Sequence, residues 1–496
     1  MTPAAAPKRM GRVLPTMHED GSRRWIRSKP SDGVWFRRRR VVAYALMALY
    51  VAIPHLRMNG MPLMLLDAPR RHFTLFGYTF LATDTLLFML LLGTLALAVF
   101  TFTAVFGRVW CGWGCPQTVW MEFLFRPIER WAEGGRMGSM NIDKTGKHLS
   151  PRRLAKFAIY FVLSLALAHT FLAYFVGVDA LTVWVTRSPV EHPSSFAVMA
   201  ITAILVYLNF AYFREQTCTI ACPYGRWQSV LLDRSSLVVA YDHGRGEPRM
   251  KGTKDRVANA GDCIDCGACV ATCPTGIDIR DGLQMECIHC TQCADACDSI
   301  MESVGKPKGL VRYTSREILA GEKTHIVRPR TVLYPVALAV VLGAFVWQLE
   351  HKEEADVMLL RSIETPFTEN ADGTVSNQVR IKIANRAGVD RRYRLDVVNA
   401  EGARVIIPVN PFPVAKGATA TVSMFVILPR SAFVDGDQMI TVRVSDGVDF
   451  SSTFPYRLLG PQGETGMARE RREKDEAEEA AERMAKRGLR PKERQR

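Results

Sequence analysis

The sequence predicts a multi-domain membrane protein that joins an α-helical transmembrane bundle, a small cysteine-rich α+β domain and a C-terminal all-β sandwich. Three observations predict it. Apolar runs of spanning length are separated by loops of unequal charge, all twelve cysteines fall in four tight groups, and the stretch after residue 350 alternates apolar and polar residues. At 496 residues the chain exceeds one compact core.

Five apolar segments qualify as spans by the requirement of about 20 apolar residues. They are Val41–Leu56, Thr85–Phe106, Phe157–Val178, Phe196–Phe213 and Val332–Leu349, the first being short and broken by Pro54. The net charge of +15 sits in particular loops and tails, which reads as a topology signal and argues against nucleic acid as a partner. The connections after the first and third spans carry few cations (Arg57, Arg70 and Arg71; Arg187), whereas the N-terminal arm, the 107–155 loop and the 214–331 segment are rich in them. The positive-inside rule puts the N-terminus and the cysteine-rich segment in the cytoplasm and the region after the last span outside. No cleavable signal peptide is evident, because residues 1–40 are polar and end in Arg37–Arg40. The expected organisation is a basic cytoplasmic arm (1–40), a four-helix membrane region (41–235), a cysteine-rich domain (236–330), a fifth helix (331–350), a β domain (351–460) and a charged tail (461–496).

Cys263-x₂-Cys266-x₂-Cys269-x₃-Cys273-Pro274 matches the bacterial ferredoxin run, and Cys287, Cys290, Cys293 and Cys297 repeat its spacing with Asp298 in place of the proline. Two-residue gaps let three thiolates converge on one cubane, while the fourth cysteine, at the start of a helical turn, points to the other. The cysteine-rich domain is therefore a ferredoxin-like α+β fold holding two 4Fe–4S clusters with crossed ligand sets. Cys263, Cys266, Cys269 and Cys297 hold one; Cys287, Cys290, Cys293 and Cys273 hold the other. Structural zinc is the competing reading, but Cys₄ zinc sites come as two separated C-x₂-C pairs. Gly267 fits close approach of main chain to cluster.

Cys111/Cys115 and Cys218/Cys222 share a second spacing, C-x₃-C-P. Each pair follows a span by a few residues and precedes an amphipathic stretch, Val119–Arg130 or Trp227–Arg234, as in an internal duplication. An i,i+4 pair lies on one helical face, so its sulfurs can meet one ion or each other. Spacing leaves three uses open: binding a soft metal such as Cu(I), dithiol–disulfide cycling, or ligating a further cluster. His169, His55 and His72 are read as packing or interfacial residues rather than haem ligands, and Asp84 as a helix cap. Residues 355–458 contain strand-period runs such as Val379–Ile383 and Ile440–Val444 between turn-forming stretches, which suggests six or seven strands in an immunoglobulin-like sandwich.

With these groups placed, residues 30–460 resemble the cytochrome c oxidase accessory proteins of the CcoG/FixG/RdxA type. The resemblance is carried by Gly107–Thr118, by Cys218 and Cys222-Pro223-Tyr224-Gly225, and by Cys273–Gln284. It implies a multi-pass protein of a bacterial inner membrane that assists assembly of a cbb-type oxidase, with oxidase subunits or copper-delivery proteins as partners and a cytoplasmic electron donor. It further implies a cupric reductase, converting Cu(II) to Cu(I), with Cys111, Cys115, Cys218 and Cys222 as candidate copper-binding or redox thiols. A quinol-linked electron-transfer subunit and a scaffold acting through the β module are the alternatives from other classes.

Overall fold

The computed structural model describes residues 14–461 except 19, 59, 70, 71, 82, 83, 147, 148, 253–258, 324, 326, 363, 364 and 388. The first part of the basic arm, Arg70, Arg71 and almost all of the C-terminal tail therefore lie outside the described residues. The chain divides into two units, Met1–Glu350 and His351–Arg496.

In the first unit, α1 (Val34–Ala52), α2 (Thr85–Phe106), α3 (Pro151–Val176) and α4 (Pro193–Leu208) precede the ferredoxin-type region, whose longest helix is α5 (Gln292–Ser303); α6 (Pro329–Glu350) closes the unit. Among the described residues four helices are long and apolar enough to cross a membrane: α2, α3, α4 continued to Phe213 by a π-turn, and α6. Protein covers little of α2, α4 and α6 (6%, 11% and 0% of the spanning window) and a third of α3, so hydrocarbon matches the faces left exposed. α1 starts seven residues earlier than the sequence suggested and carries Arg37–Arg40 in its first turns, which keeps it below the same threshold. Its start is set from elsewhere in the chain: Asp295 on α5 accepts from the amides of Trp35 (3.1 Å) and Phe36 (2.7 Å), satisfying two orphan donors. Asp84 stands at the N-cap position of α2, its carbonyl accepting from Phe88.

α2 packs on α6, with Val341 opposite Gly93, and α3 packs on α4. Between α1 and α2 the connection forms a three-stranded antiparallel meander, Met64–Asp67, His72–Leu75 and Tyr78–Leu81. In the ferredoxin-type region Val238–Tyr241 pairs antiparallel with Val311–Thr314, closing the segment that holds the eight clustered cysteines.

Among the described residues the second unit is an all-β sandwich of nine strands: β1 (Ala355–Arg361), β2 (Thr368–Glu369), β3 (Thr374–Asn385), β4 (Arg391–Val398), β5 (Arg404–Ile406), β6 (Phe412–Val414), β7 (Thr419–Pro429), β8 (Asp437–Ser445) and β9 (Ser451–Leu459). One sheet runs β5-β7-β3-β1 with β2 on β3, the other β6-β4-β8-β9. Val379, Ile381 and Ile383, with Met424 and Val426 beside them on the paired strand, face Leu395 and Val442 of the other sheet across a buried core, the outcome of period-two patterning.

Candidate functional site: a thiol-lined chain of cavities

The two cysteine runs have the same backbone. Asp265 and His289 stand one residue before the second cysteine of each run, Gly267 and Thr291 one residue after it, and all four have positive φ (+49°, +52°, +66° and +59°). Such alternation curls successive N–H groups into a concave nest suited to an anionic cluster. Gly267 takes this left-handed backbone without the strain that Thr291 bears at the equivalent position, and among protein atoms a Cβ at Gly267 would meet nothing.

Cys263, Cys266, Cys269 and Cys297 line one cavity of about 350 Å³ of empty space. Cys273, Cys287, Cys290 and Cys293 line a second of about 340 Å³, with Cys269 on the wall between them. Each run thus sends its fourth cysteine into the other run's cavity. The donor set fits a cubane better than a single ion: among the described residues no three His, Cys, Asp or Glu side chains converge as ligands of one metal ion, while four thiols ring each cavity. The fourth cysteines are placed differently from expectation. Cys273 ends the short helix Ala268–Thr272, whereas Cys297 lies mid-way along α5. This accounts for Asp298: a proline there would sit inside a continuing helix, and the aspartate instead accepts from the Gly309 amide at 2.8 Å.

Burial pushes the Cys287 and Cys297 thiols up to about 12 and Cys290 to about 11. Without a metal they stay protonated at neutral pH, so iron must displace protons to bind.

The second pair of motifs forms a site of its own. Cys111, Cys115, Cys218 and Cys222 gather close enough for their charges to interact; burial first, and then the neighbouring sulfurs, push Cys111 up to about 11 and Cys218 to about 12. All four are free thiols. Neither pair sits on one continuous helix as the spacing suggested. Cys111 lies in the helix Val109–Trp113, but Cys115 has extended backbone; Cys218 lies in a π-turn and Cys222 is extended again. The cause is the following proline, which disfavours helical backbone in the residue before it. Pro116 and Pro223 then open the next helices.

The duplication extends to the backbone. Gly107 and Arg214, each four residues before the first cysteine of its pair, end their helices with nearly the same angles (φ 61°, ψ −135° and φ 53°, ψ −121°). The halves interlock through Gln117, which donates to the Arg214 carbonyl (2.9 Å) and accepts from Asn209 (2.5 Å), and through Arg108, which donates to Gln228 (3.3 Å). Gln228 also accepts from the Cys111 thiol at 3.1 Å.

This second site abuts the Cys273–Cys293 cavity. Cys111, Ile288 and Cys290 pack into one buried cluster, and Gly112 is pressed onto the Cys290 backbone. Arg39, fully buried, donates to the Gly112 carbonyl at 2.9 Å. Trp113 donates to the Tyr313 hydroxyl (3.0 Å), which donates to the His289 carbonyl (2.8 Å). Arg108 hydrogen-bonds the Met285 carbonyl. Sequence reasoning missed Arg39, Gln228 and Tyr313, since nothing in the sequence separates Arg39 from its three arginine neighbours. Behind the thiols lies an ion-pair network in which Arg214 grips Glu129 with two 2.9 Å bonds, and Glu129 also meets Arg27 (2.6 Å) and Lys156 (3.6 Å). His169 hydrogen-bonds the Leu165 carbonyl of its own helix (2.8 Å).

Comparison with known proteins decides the family. The chain is 35% identical over 408 residues to Protein RdxA of Cereibacter sphaeroides, covering 78% of this chain and 85% of the relative. It is 30% identical over 482 residues to Nitrogen fixation protein FixG of Rhizobium meliloti, covering 86% and 90%. This chain belongs to the FixG/RdxA family. RdxB of C. sphaeroides is a further relative, 32% identical over 376 residues, 71% of this chain and 77% of the relative. A 4Fe–4S dicluster domain matches residues 213–316, a 4Fe–4S binding domain 86–133, and the immunoglobulin-like fold at the C-terminus of FixG 345–461. The family and the 4Fe–4S domains make this chain a membrane iron–sulfur electron-transfer protein.

Proposed function

We propose that this protein carries electrons through two 4Fe–4S clusters to the four thiols Cys111, Cys115, Cys218 and Cys222, where Cu(II) is reduced to Cu(I) for a cbb-type oxidase. Cys263, Cys266, Cys269 and Cys297 hold one cluster, and Cys287, Cys290, Cys293 and Cys273 the other; the lining of the two cavities supports both sets. The observation that carries the reading is the joint packing of Cys111, Ile288 and Cys290, which sets the thiol site directly against a cysteine-lined cavity. Each turnover takes one electron from the relay and one Cu(II), and thiolate ligands favour the Cu(I) product. The loop charges support a cytoplasmic N-terminus and iron–sulfur region, with the β sandwich outside.

The test is Cu(I) formation by anaerobic, pre-reduced protein, followed with a Cu(I)-selective chelator. Serine at the four thiol positions should abolish it and leave the iron content intact; an unchanged rate removes these thiols from the reaction. A second reading, favoured by the 4Fe–4S binding domain match over 86–133, makes the same thiols ligands of a further cluster. Iron analysis separates the two, at about eight irons per chain against about twelve.

A further inference from the structure

A cleft of about 1,310 Å³ of empty space, open to solvent, lies where the N-terminal arm, the helix Gly135–Lys144 and the ferredoxin-type region meet. Its floor belongs to both cluster cavities: Gly267 and Arg280 also line the Cys263–Cys297 cavity, and Cys273 also lines the other. Its walls are cationic. Arg24, Arg27, Arg136, Lys144 and Arg280 face it against only Asp143 and Asp278, with Trp25 alongside.

The two acids, and with them Arg27 and Arg280, are already committed inside the fold. Asp143 pairs with Arg27 and Arg153 (both 2.7 Å), and Asp278 with Arg280 (2.7 Å). Arg136 and Lys144, at the two ends of one helix, are exposed and make no ion pair among the described residues. The arm wall is held in place, since Lys29 donates to the Ala271 carbonyl (2.9 Å) and accepts from Thr272 (2.7 Å). The cleft is thus a preformed positive surface that reaches residues of both cavities from solvent, and such a surface attracts and orients anionic partners.

We propose that this cleft docks the electron donor, a small acidic one-electron carrier protein that places its redox group against the Gly267 and Cys273 loops. The inference rests on the proposed cluster relay. In the transfer the carrier loses one electron and this chain gains one; no bond changes and no atom passes. A one-electron carrier suits the site better than a nicotinamide, which gives up two electrons as a hydride while a cluster accepts one.

The experiment uses the full chain in detergent, anaerobically, with pre-reduced bacterial flavodoxin as the acidic probe. Carbodiimide coupling should join flavodoxin carboxylates to Lys144, found by mass spectrometry and lost at high salt. This readout needs no cluster, so it fails or succeeds independently of the relay. Flavodoxin oxidation in stopped flow should slow by roughly tenfold or more in Arg136→Glu/Lys144→Glu, while iron content and the dithionite-reduced EPR signal stay as in wild type. Should that double variant lose iron, Lys144→Gln alone is read by loss of the coupling product and a smaller slowing. Coupling elsewhere on the chain, an unchanged rate in an iron-replete variant, or oxidation of NADH alone that the same substitutions suppress would overturn the proposal.

Discussion

Gly112 lies so close against Cys290 that a Cβ added to it would sit 2.9 Å from the Cys290 Cα, 3.0 Å from its amide nitrogen and 2.7 Å from the Ile288 carbonyl oxygen. These are backbone atoms of the cysteine-run loop and cannot swing aside like a side chain. The glycine joins the two thiol sites at van der Waals range.

Gly112→Ala should therefore push the Cys111 loop away from the Cys290 loop. The expected loss of stability is about 1–3 kcal/mol, read as a lower midpoint of thermal unfolding in detergent. Electron flow from pre-reduced clusters to Cu(II) should slow more than cluster reduction by dithionite does. Equal effects on both steps would count against the contact as the path.

The crossed cavities make a counter-intuitive expectation for Cys273→Ser. Although Cys273 belongs to the first run, its loss should disturb the cluster of Cys287, Cys290 and Cys293 and spare the signal of the other. EPR of the reduced variant should lose the coupling between two paramagnets, with iron falling from about eight toward about four per chain. Cys297→Ser should produce the reciprocal pattern.

Glu129 tests the ion-pair network. Its carboxyl is buried, which alone would raise its pKa, but Arg214, Lys156 and Arg27 hold it well below the ordinary value of 4.5. A carboxylate depressed in the folded state adds stability fully above about pH 4.5 and loses it as pH falls toward the folded value. Wild-type protein should lose stability progressively as pH falls below about 5 toward the folded value, the interval over which this linkage acts. Glu129→Gln should cost about 3–5 kcal/mol at neutral pH by leaving the buried Arg214 charge with Glu215 alone, and it should flatten that acid limb in circular-dichroism melts.

Thiol reactivity should report the burial of Cys111. In protein stripped of iron and copper, its thiol is pushed up to about 11, so little thiolate exists at pH 7. Alkylation by iodoacetamide should be slow there, slower than at the exposed Cys266, and should climb about tenfold per pH unit toward pH 11. Fast labelling of Cys111 at pH 7 would mean that its pocket opens.

Long, uniform signals were legible before the fold was known. The bounds of α2 were read off directly, because an apolar run ending at Gly107 has no other structure open to it. The cysteine runs announced both cavities through spacing alone. What escaped notice depends on partners far away in the chain. Val34 begins α1 because Asp295 caps it across about 260 residues, and no local pattern encodes that. Arg39 differs from Arg38 and Arg40 only by facing Gly112. The pairs at Cys111 and Cys218 follow helical spacing, yet the prolines after them override it, a local cue that was present and undervalued.

The matching turns at Gly107 and Arg214 give the four-thiol site a near-twofold symmetry of backbone that its surroundings do not share. Beside the first turn, Arg108 reaches toward Cys111 and Gln228, and the neighbouring Gly112 touches a cluster loop. At the second turn, Arg214 points away into Glu129 and takes up a left-handed backbone that costs a non-glycine residue about 1–2 kcal/mol. One copy faces a cysteine-run cavity and the other anchors the frame. The four sulfurs are therefore not interchangeable: Cys111 packs against Cys290, and in the proposed relay it is the sulfur that charge should reach first.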